Sequence, residues 1–122
     1  MNYNDKKIAV VGVSQDPSKY GYKIFTTLLE NGLNVYGINP KGGTVNGQPL
    51  YPQMTDLPHP ADVAILVIPP AALEQAVAQC VQTGVKEVWF QPGARLDAAY
   101  QTAQQAGLRA INGCFMAENG FW

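Results

Sequence analysis

Residues 63–68 read Val63-Ala64-Ile65-Leu66-Val67-Ile68, an unbroken apolar run set between Asp62 and Pro69-Pro70. A run this short suits a strand, and a strand with no polar face is covered on both sides, as the central strands of parallel sheets are. Alternating sandwich strands would look different. Residues 8–13, 35–38, 88–90 and 108–111 share its β-branched and aromatic character. Between these runs, apolar residues recur at three and four: Tyr22, Phe25, Leu28 and Leu29; Leu73, Val77, Cys80 and Val81; Leu96, Ala99, Tyr100 and Ala103. Each such stretch stops at a glycine, Gly32, Gly84 or Gly107, followed at once by an apolar residue, as when glycine takes the left-handed position that ends a helix. Strand, helix and glycine in alternation predict parallel pairing through right-handed crossovers. The expected fold is α/β and Rossmann-like: a doubly wound, mainly parallel five-stranded sheet in a three-layer αβα arrangement.

One segment breaks the rhythm. Residues 40–60 are rich in Gly and Pro, with an Asn46-Gly47 turn signal, at most a short edge strand around Leu50 and Tyr51, and a helical turn near residues 54–57. The first strand then sits centrally, with the second to one side and residues 63–68 to the other. That arrangement predicts a topological switch point at the C-terminal ends of residues 8–13 and 63–68, where ligands bind in such sheets.

Composition narrows the function. The 122 residues are 47% hydrophobic and 14% charged, with a formal net charge of −1. This length fits one core, so residues 1–122 read as a single domain. Near-neutral charge argues against nucleic acid as a partner, because such domains neutralise many phosphates with clustered Lys and Arg. Any phosphate site must be local. Residues 1–7 are polar and lead straight into a strand, and no apolar stretch approaches membrane-spanning length, so the cytoplasm is the expected compartment. Cys80 and Cys114, with no CxxC, offer neither a disulfide framework nor a metal site.

At the switch point the first strand runs into Gly12-Val13-Ser14-Gln15-Asp16-Pro17-Ser18-Lys19-Tyr20-Gly21. A glycine-bearing loop ahead of a helix presents backbone N–H groups to an anion. Gly12 permits close approach, main-chain amides from Gly12 through Val13 to Ser14 converge on the ligand, Ser14 and Ser18 offer hydroxyls, and Lys19 offers an ammonium. The plainer reading has Asp16-Pro17 or Ser18 capping the helix, with Lys19 in solvent. The loop is not GxGxxG. Where a dinucleotide fold places an acid for the ribose diol, this chain has Asn39-Pro40-Lys41, which favours a phosphorylated ribose. The 3′-phosphate of coenzyme A (CoA) and the 2′-phosphate of NADP both satisfy that reasoning, as does a solvated lysine. Across the crevice, Ile68-Pro69-Pro70 gives a stiff apolar wall for adenine or a pantetheine arm, although Pro70 also starts helices. Gln91 has a carboxamide for a ligand amide, and Pro92-Gly93 is equally a tight turn.

Val10-Val11-Gly12-Val13-Ser14 with Pro17-Ser18-Lys19, then Gly37-Ile38-Asn39-Pro40-Lys41, Asp62-Val63 with Ile68-Pro69-Pro70, and Val88-Trp89-Phe90-Gln91-Pro92-Gly93 resemble the CoA-binding-domain family. That family includes small stand-alone bacterial and archaeal proteins and is similar to the N-terminal domain of the succinyl-CoA synthetase alpha subunit. The resemblance spans residues 7–118. It implies that the loop at Gly12, Val13 and Ser14 follows the cofactor's phosphates, that Lys41 meets a CoA phosphate, and that Ile68 and Pro69 line the adenosine. The C-terminal block departs from the pattern: relatives usually carry Asp-Arg-Cys and then Glu-His, whereas this chain has Asn112-Gly113-Cys114 and then Glu118-Asn119.

No catalytic constellation is legible. His59, the single histidine, lies between Pro58 and Pro60 in the irregular segment. Cys80 falls on an apolar helix face, and nothing basic adjoins Cys114 to lower its pKa. A non-catalytic module holding CoA or an acyl-CoA is therefore expected, with an NADP-linked redox protein or sensor as the alternative. The apolar tail of Phe115, Met116, Phe121 and Trp122 is expected to pack on its own domain, and no protein partner is legible.

Overall fold

All five apolar runs pair as parallel strands in the computed structural model, which describes residues 3–122. Met1 and Asn2, the start of the polar 1–7 stretch, lie outside the described residues. The strands are β1 (Lys7–Val11), β2 (Asn34–Ile38), β3 (Thr44–Val45), β4 (Gln48–Tyr51), β5 (Val63–Leu66), β6 (Glu87–Phe90) and β7 (Arg109–Asn112). They form one seven-stranded sheet in the order β3-β4-β2-β1-β5-β6-β7. Ile8 stands opposite Val35 on one side and Val63 on the other, and Val11 opposite Ile38 and Leu66. The order of progression reverses between β1 and β5, where the switch point was expected.

Seven strands correct the five-stranded expectation. The two additional strands form a hairpin inside the Gly- and Pro-rich segment: Asn46 (φ 50°) and Gly47 (φ 77°) make its two-residue turn, and β4 adds to β2 in parallel through Leu50 and Tyr51. β4 is therefore flanked on both sides rather than lying at an edge. Strands of two and four residues, one containing Pro49, carry too little periodicity to be read alone. The helical turn expected near residues 54–57 is a 3-10 turn over Met54–Asp56, closed by reciprocal bonds between Gln53 and Asp56.

Four helices complete the layers: α1 (Tyr20–Glu30), α2 (Leu73–Thr83), α3 (Asp97–Gln105) and α4 (Phe115–Glu118). Ile24, Phe25 and Leu28 of α1, with Phe115 and Met116 of α4, pack on Ile8, Val10, Ile65 and Trp89. Leu73, Val77 and Cys80 of α2, with Ala99 and Ala103 of α3, pack on Ala9, Val11, Ala64 and Phe90. Consecutive residues of β1 and β5 thus feed opposite cores, which is why neither strand has a polar face. The three helix ends repeat one motif. Leu33, Val85 and Leu108 each donate to the carbonyl five residues earlier (Leu28, Cys80 and Ala103), across a glycine of positive φ. Of the apolar tail, Phe115 and Met116 are fully buried and Phe121 stacks on Phe115, whereas Trp122 is 48% exposed against the Tyr20 ring.

The N-terminal end of the sheet is closed by buried polar contacts. Glu87 accepts hydrogen bonds from the Tyr3 hydroxyl (2.6 Å) and the Trp89 indole (2.8 Å). Burial, then Glu87, pushes the Tyr3 hydroxyl well above the ordinary tyrosine range. Asp62 accepts from the Lys7 amide (2.9 Å), and its own carbonyl takes the amides of Lys86 and Glu87. The opposite end is open.

Candidate functional site

β1 stops at Val11 and β5 at Leu66, each two residues short of its apolar run. Gly12 and Ile68 therefore belong to the loops at the sheet's C-terminal end. Gly12 has φ +108°, and a Cβ there would collide with the Val67 carbonyl, so β1 leaves the sheet pressed against the β5 loop. Gly21 allows the next step, because a Cβ on it would strike the Gly12 carbonyl. The first turn of α1 is thereby seated directly on the loop.

The geometry of residues 12–19 corrects two expectations. The amides of Gly12 and Val13 both donate to the Ile38 carbonyl (3.0 and 3.1 Å), so they complete the sheet and do not converge on an anion. Neither Asp16, Pro17 nor Ser18 caps α1; its N-cap is Lys19, with no side-chain bond. Asp16 instead turns back on Ser18, accepting from its amide (2.9 Å) and hydroxyl (2.8 Å). Those two bonds, amide first, hold its carboxyl below the usual range. The Ser18 hydroxyl proton is thus committed. Ser14 differs: its oxygen accepts from the Asp16 amide (3.0 Å), which leaves its own proton to donate. Lys19 is exposed.

Asn39 joins the two loops. Its Nδ2 donates to the Val13 carbonyl (2.8 Å), and its Oδ1 accepts the Lys41 amide (2.8 Å), so Lys41 is held at a set position relative to the β1 loop. Gln15 adds a second tie, accepting the Thr44 amide (3.3 Å) beside Gly43, where a Cβ would meet the Gln15 carboxamide. Pro40, Lys41, Pro69, Pro70 and Gly93 are all exposed.

A cavity of about 300 Å³ opens at this end of the sheet. Gly12, Pro40 and Ile68 line it, one from each of three loops singled out in the sequence. Val11 and Ile38 form its base, Ala72 just ahead of α2 and Ala76 within it one wall, and Pro52 the other, with carboxamides from Gln53, Gln75 and Gln79. Among the described residues, no charged side chain lines it. The α2 and Pro52-Gln53 walls were missed in the sequence. Ala72, Gln75, Ala76 and Gln79 do fall on one helix face, a signal overshadowed by the apolar stripe beside it. The Pro52-Gln53 wall depends on the hairpin. Residues and cavity fit a nucleotide cofactor: an uncharged recess for a base, with the Ser14 hydroxyl and the Lys41 ammonium on adjoining loops.

Gln91 lies elsewhere. It is fully buried, its Oε1 accepting the Phe115 amide (2.7 Å) and its Nε2 reaching Cys114 Sγ (3.5 Å), so it anchors α4 instead of offering an amide to a ligand. Cys80 is inert packing, its thiol pushed up to about 12 by burial. Cys114 departs from expectation. Burial pushes its thiol up, but bonds from the Ala117 amide, the Gln91 carboxamide, the Met116 amide and the Tyr20 hydroxyl outweigh it and bring the thiol below its ordinary value. None of these donors is basic, and only the Met116 and Ala117 amides are near in sequence. Glu118 folds back over Gly113, where a Cβ would strike its carboxylate. His59 is exposed in the loop that enters β5 from the opposite end of the sheet. Among the described residues no three His, Cys, Asp or Glu side chains gather to hold a metal, and no helix is long and apolar enough to cross a membrane.

The family model described as a CoA binding domain matches residues 6–120. The chain belongs to the CoA-binding-domain family. Among relatives of this family member, the alpha subunit of ADP-forming acetate–CoA ligase II from Pyrococcus furiosus is 38% identical over 87 residues, 70% of this chain and 19% of that one. ADP-forming acetate–CoA ligase II from Archaeoglobus fulgidus is 29% identical over 132 residues, 95% of this chain and 20% of that one. The chain spans about a fifth of the length of these ligases. Among solved structures, a hypothetical protein from Pyrococcus horikoshii OT3 superposes with a TM-score of 0.89 at 37% identity, covering 93% of this chain and 81% of that one. The dinucleotide-forming acetyl-coenzyme A synthetase 1 of Ca. Korarchaeum cryptofilum, in its apo form, gives 0.81 at 30% identity, covering 91% and 26%.

Proposed function

We propose that this domain binds coenzyme A, free or acylated, at the C-terminal end of its sheet, and that it holds the cofactor without transforming it. One observation carries the reading: Gly12, Pro40 and Ile68, from three loops far apart in sequence, line a single uncharged cavity at the switch point. Adenosine would enter that recess. The phosphates would remain outside it, meeting the Ser14 hydroxyl, Lys41 and Lys19, where charge-assisted bonds are strongest. The family's description and the acetate–CoA ligase relatives support CoA and lend NADP no support. A binding role fits side chains already engaged in structure or placed elsewhere: Cys80 is buried, His59 is exposed in the loop that enters β5, and the Asp16 carboxylate is bonded to Ser18.

Thermal melting with CoA, dephospho-CoA, NADP and NAD tests the assignment. CoA at a hundred times its Kd should add about 2.7 kcal/mol of stability. A melt shifted by NADP and indifferent to CoA would reverse it. Lys41→Ala should weaken CoA by about 1.5–3 kcal/mol and dephospho-CoA far less, because dephospho-CoA lacks the 3′-phosphate. Equal losses by titration calorimetry would move Lys41 to the pyrophosphate.

A further inference from the structure

Gln79 lines the cavity with one end of its carboxamide already assigned. The Met54 amide donates to its Oε1 (3.0 Å), and a backbone N–H can face only the oxygen, so the Nε2 amino group is the end left for the cavity. One turn earlier on the same face of α2, Gln75 is exposed and carries both a donor and an acceptor. α2 starts at the crevice and runs back toward the start of β6, so Ala72 marks the mouth and Gln79 lies about 10 Å further in. From its inner end toward the mouth, the α2 wall therefore presents a fixed donor and then an adaptable carboxamide.

We propose that Gln79 and Gln75 read the N1–C6 edge of the adenine ring and make this site selective for adenine among purines. The inference rests on CoA binding as read above. A purine is joined to its ribose at N9, and the phosphates stay outside an uncharged cavity, so the edge opposite N9 leads inward. In adenine that edge carries an acceptor, N1, and a donor, the 6-amino group. The Gln79 amino group matches N1, and Gln75 turns its oxygen to the 6-amino group. Hypoxanthine carries N1–H and a carbonyl instead. Its N1–H would oppose the Gln79 amino group, which cannot invert without abandoning the Met54 amide.

The test compares CoA with its deaminated analogue, identical except for hypoxanthine in place of adenine, by titration calorimetry on the unaltered chain. CoA should bind at least about tenfold more tightly. Gln79→Glu keeps an acceptor for the Met54 amide and turns the cavity-facing end into an acceptor, so the ratio should fall about tenfold or invert. Equal affinities on the unaltered chain would overturn base reading while leaving CoA binding intact. A preference that persists undiminished in folded Gln79→Glu would remove Gln79 from the role. Failure of both ligands to bind would sink the CoA assignment itself. The two-ligand comparison stands even where the variant does not fold.

Discussion

A methyl group at position 12 has nowhere to go. The backbone holds φ at +108° there, and the Val67 carbonyl fills the place of a Cβ. Gly12→Ala should cost about 3 kcal/mol in urea denaturation, from left-handed strain plus the displaced β5 loop. The two thiols make a second contrast at this scale. Cys114 is half-buried and supplied with donors from four residues, whereas Cys80 sits sealed in the core. A lowered thiol ionises earlier as pH rises, so the iodoacetamide rate at Cys114 should reach half its plateau below pH 9.0, the ordinary value. Cys80 should stay unmodified until the chain unfolds. Cys114 was legible as a residue, but its side-chain donors were not, because Tyr20 at the start of α1 and Gln91 just after β6 meet it only in the fold.

Elements differ in how openly they declare themselves. β5 and the three long helices were readable because burial on both faces, or along one stripe, leaves a period in the sequence. Of the β3–β4 hairpin, the Asn46-Gly47 turn and a short strand at Leu50 and Tyr51 were readable; β3 and the place of β4 between β3 and β2 were not, since strands of two and four residues are held by their neighbours more than by their own pattern. The start of α1 was misread for a related reason: Asp16 satisfies a turn just upstream, and an Asx turn and a helix cap use the same residues. The loops at the crevice depend on one cross-link. Asn39→Ala removes its bonds to the Val13 carbonyl and the Lys41 amide. It should lower stability by about 1–2 kcal/mol and, on the proposed role of Lys41, weaken CoA by releasing that residue. Melting and calorimetry on the same variant would separate the two effects.

Across the whole molecule the two ends of the sheet do different work. At the N-terminal end, Glu87 is buried and holds Tyr3 and Trp89, while Arg109 stands 3.7 Å away with a side chain 62% exposed. The exposed ion pair contributes little; the two buried donors matter. Glu87→Ala should cost about 3 kcal/mol in urea denaturation by leaving both donors without an acceptor. CoA affinity should be unchanged, because the cavity lies at the opposite end. A fall in affinity matching the fall in stability would contradict that separation.

By itself the sequence determined the parallel α/β architecture, the central place of β1, the three glycine-ended helices and the loops that reach the crevice, because each rests on periodicity or a local turn preference. Only the tertiary structure decided which of those loop groups stay free. The Gly12 and Val13 amides, the Ser18 hydroxyl and the Gln91 carboxamide all find partners inside the chain, while Gln75 and Gln79 are brought to a cavity wall. Hydrogen-bond capacity is consumed by whichever partner the fold brings near, and that competition is settled in three dimensions.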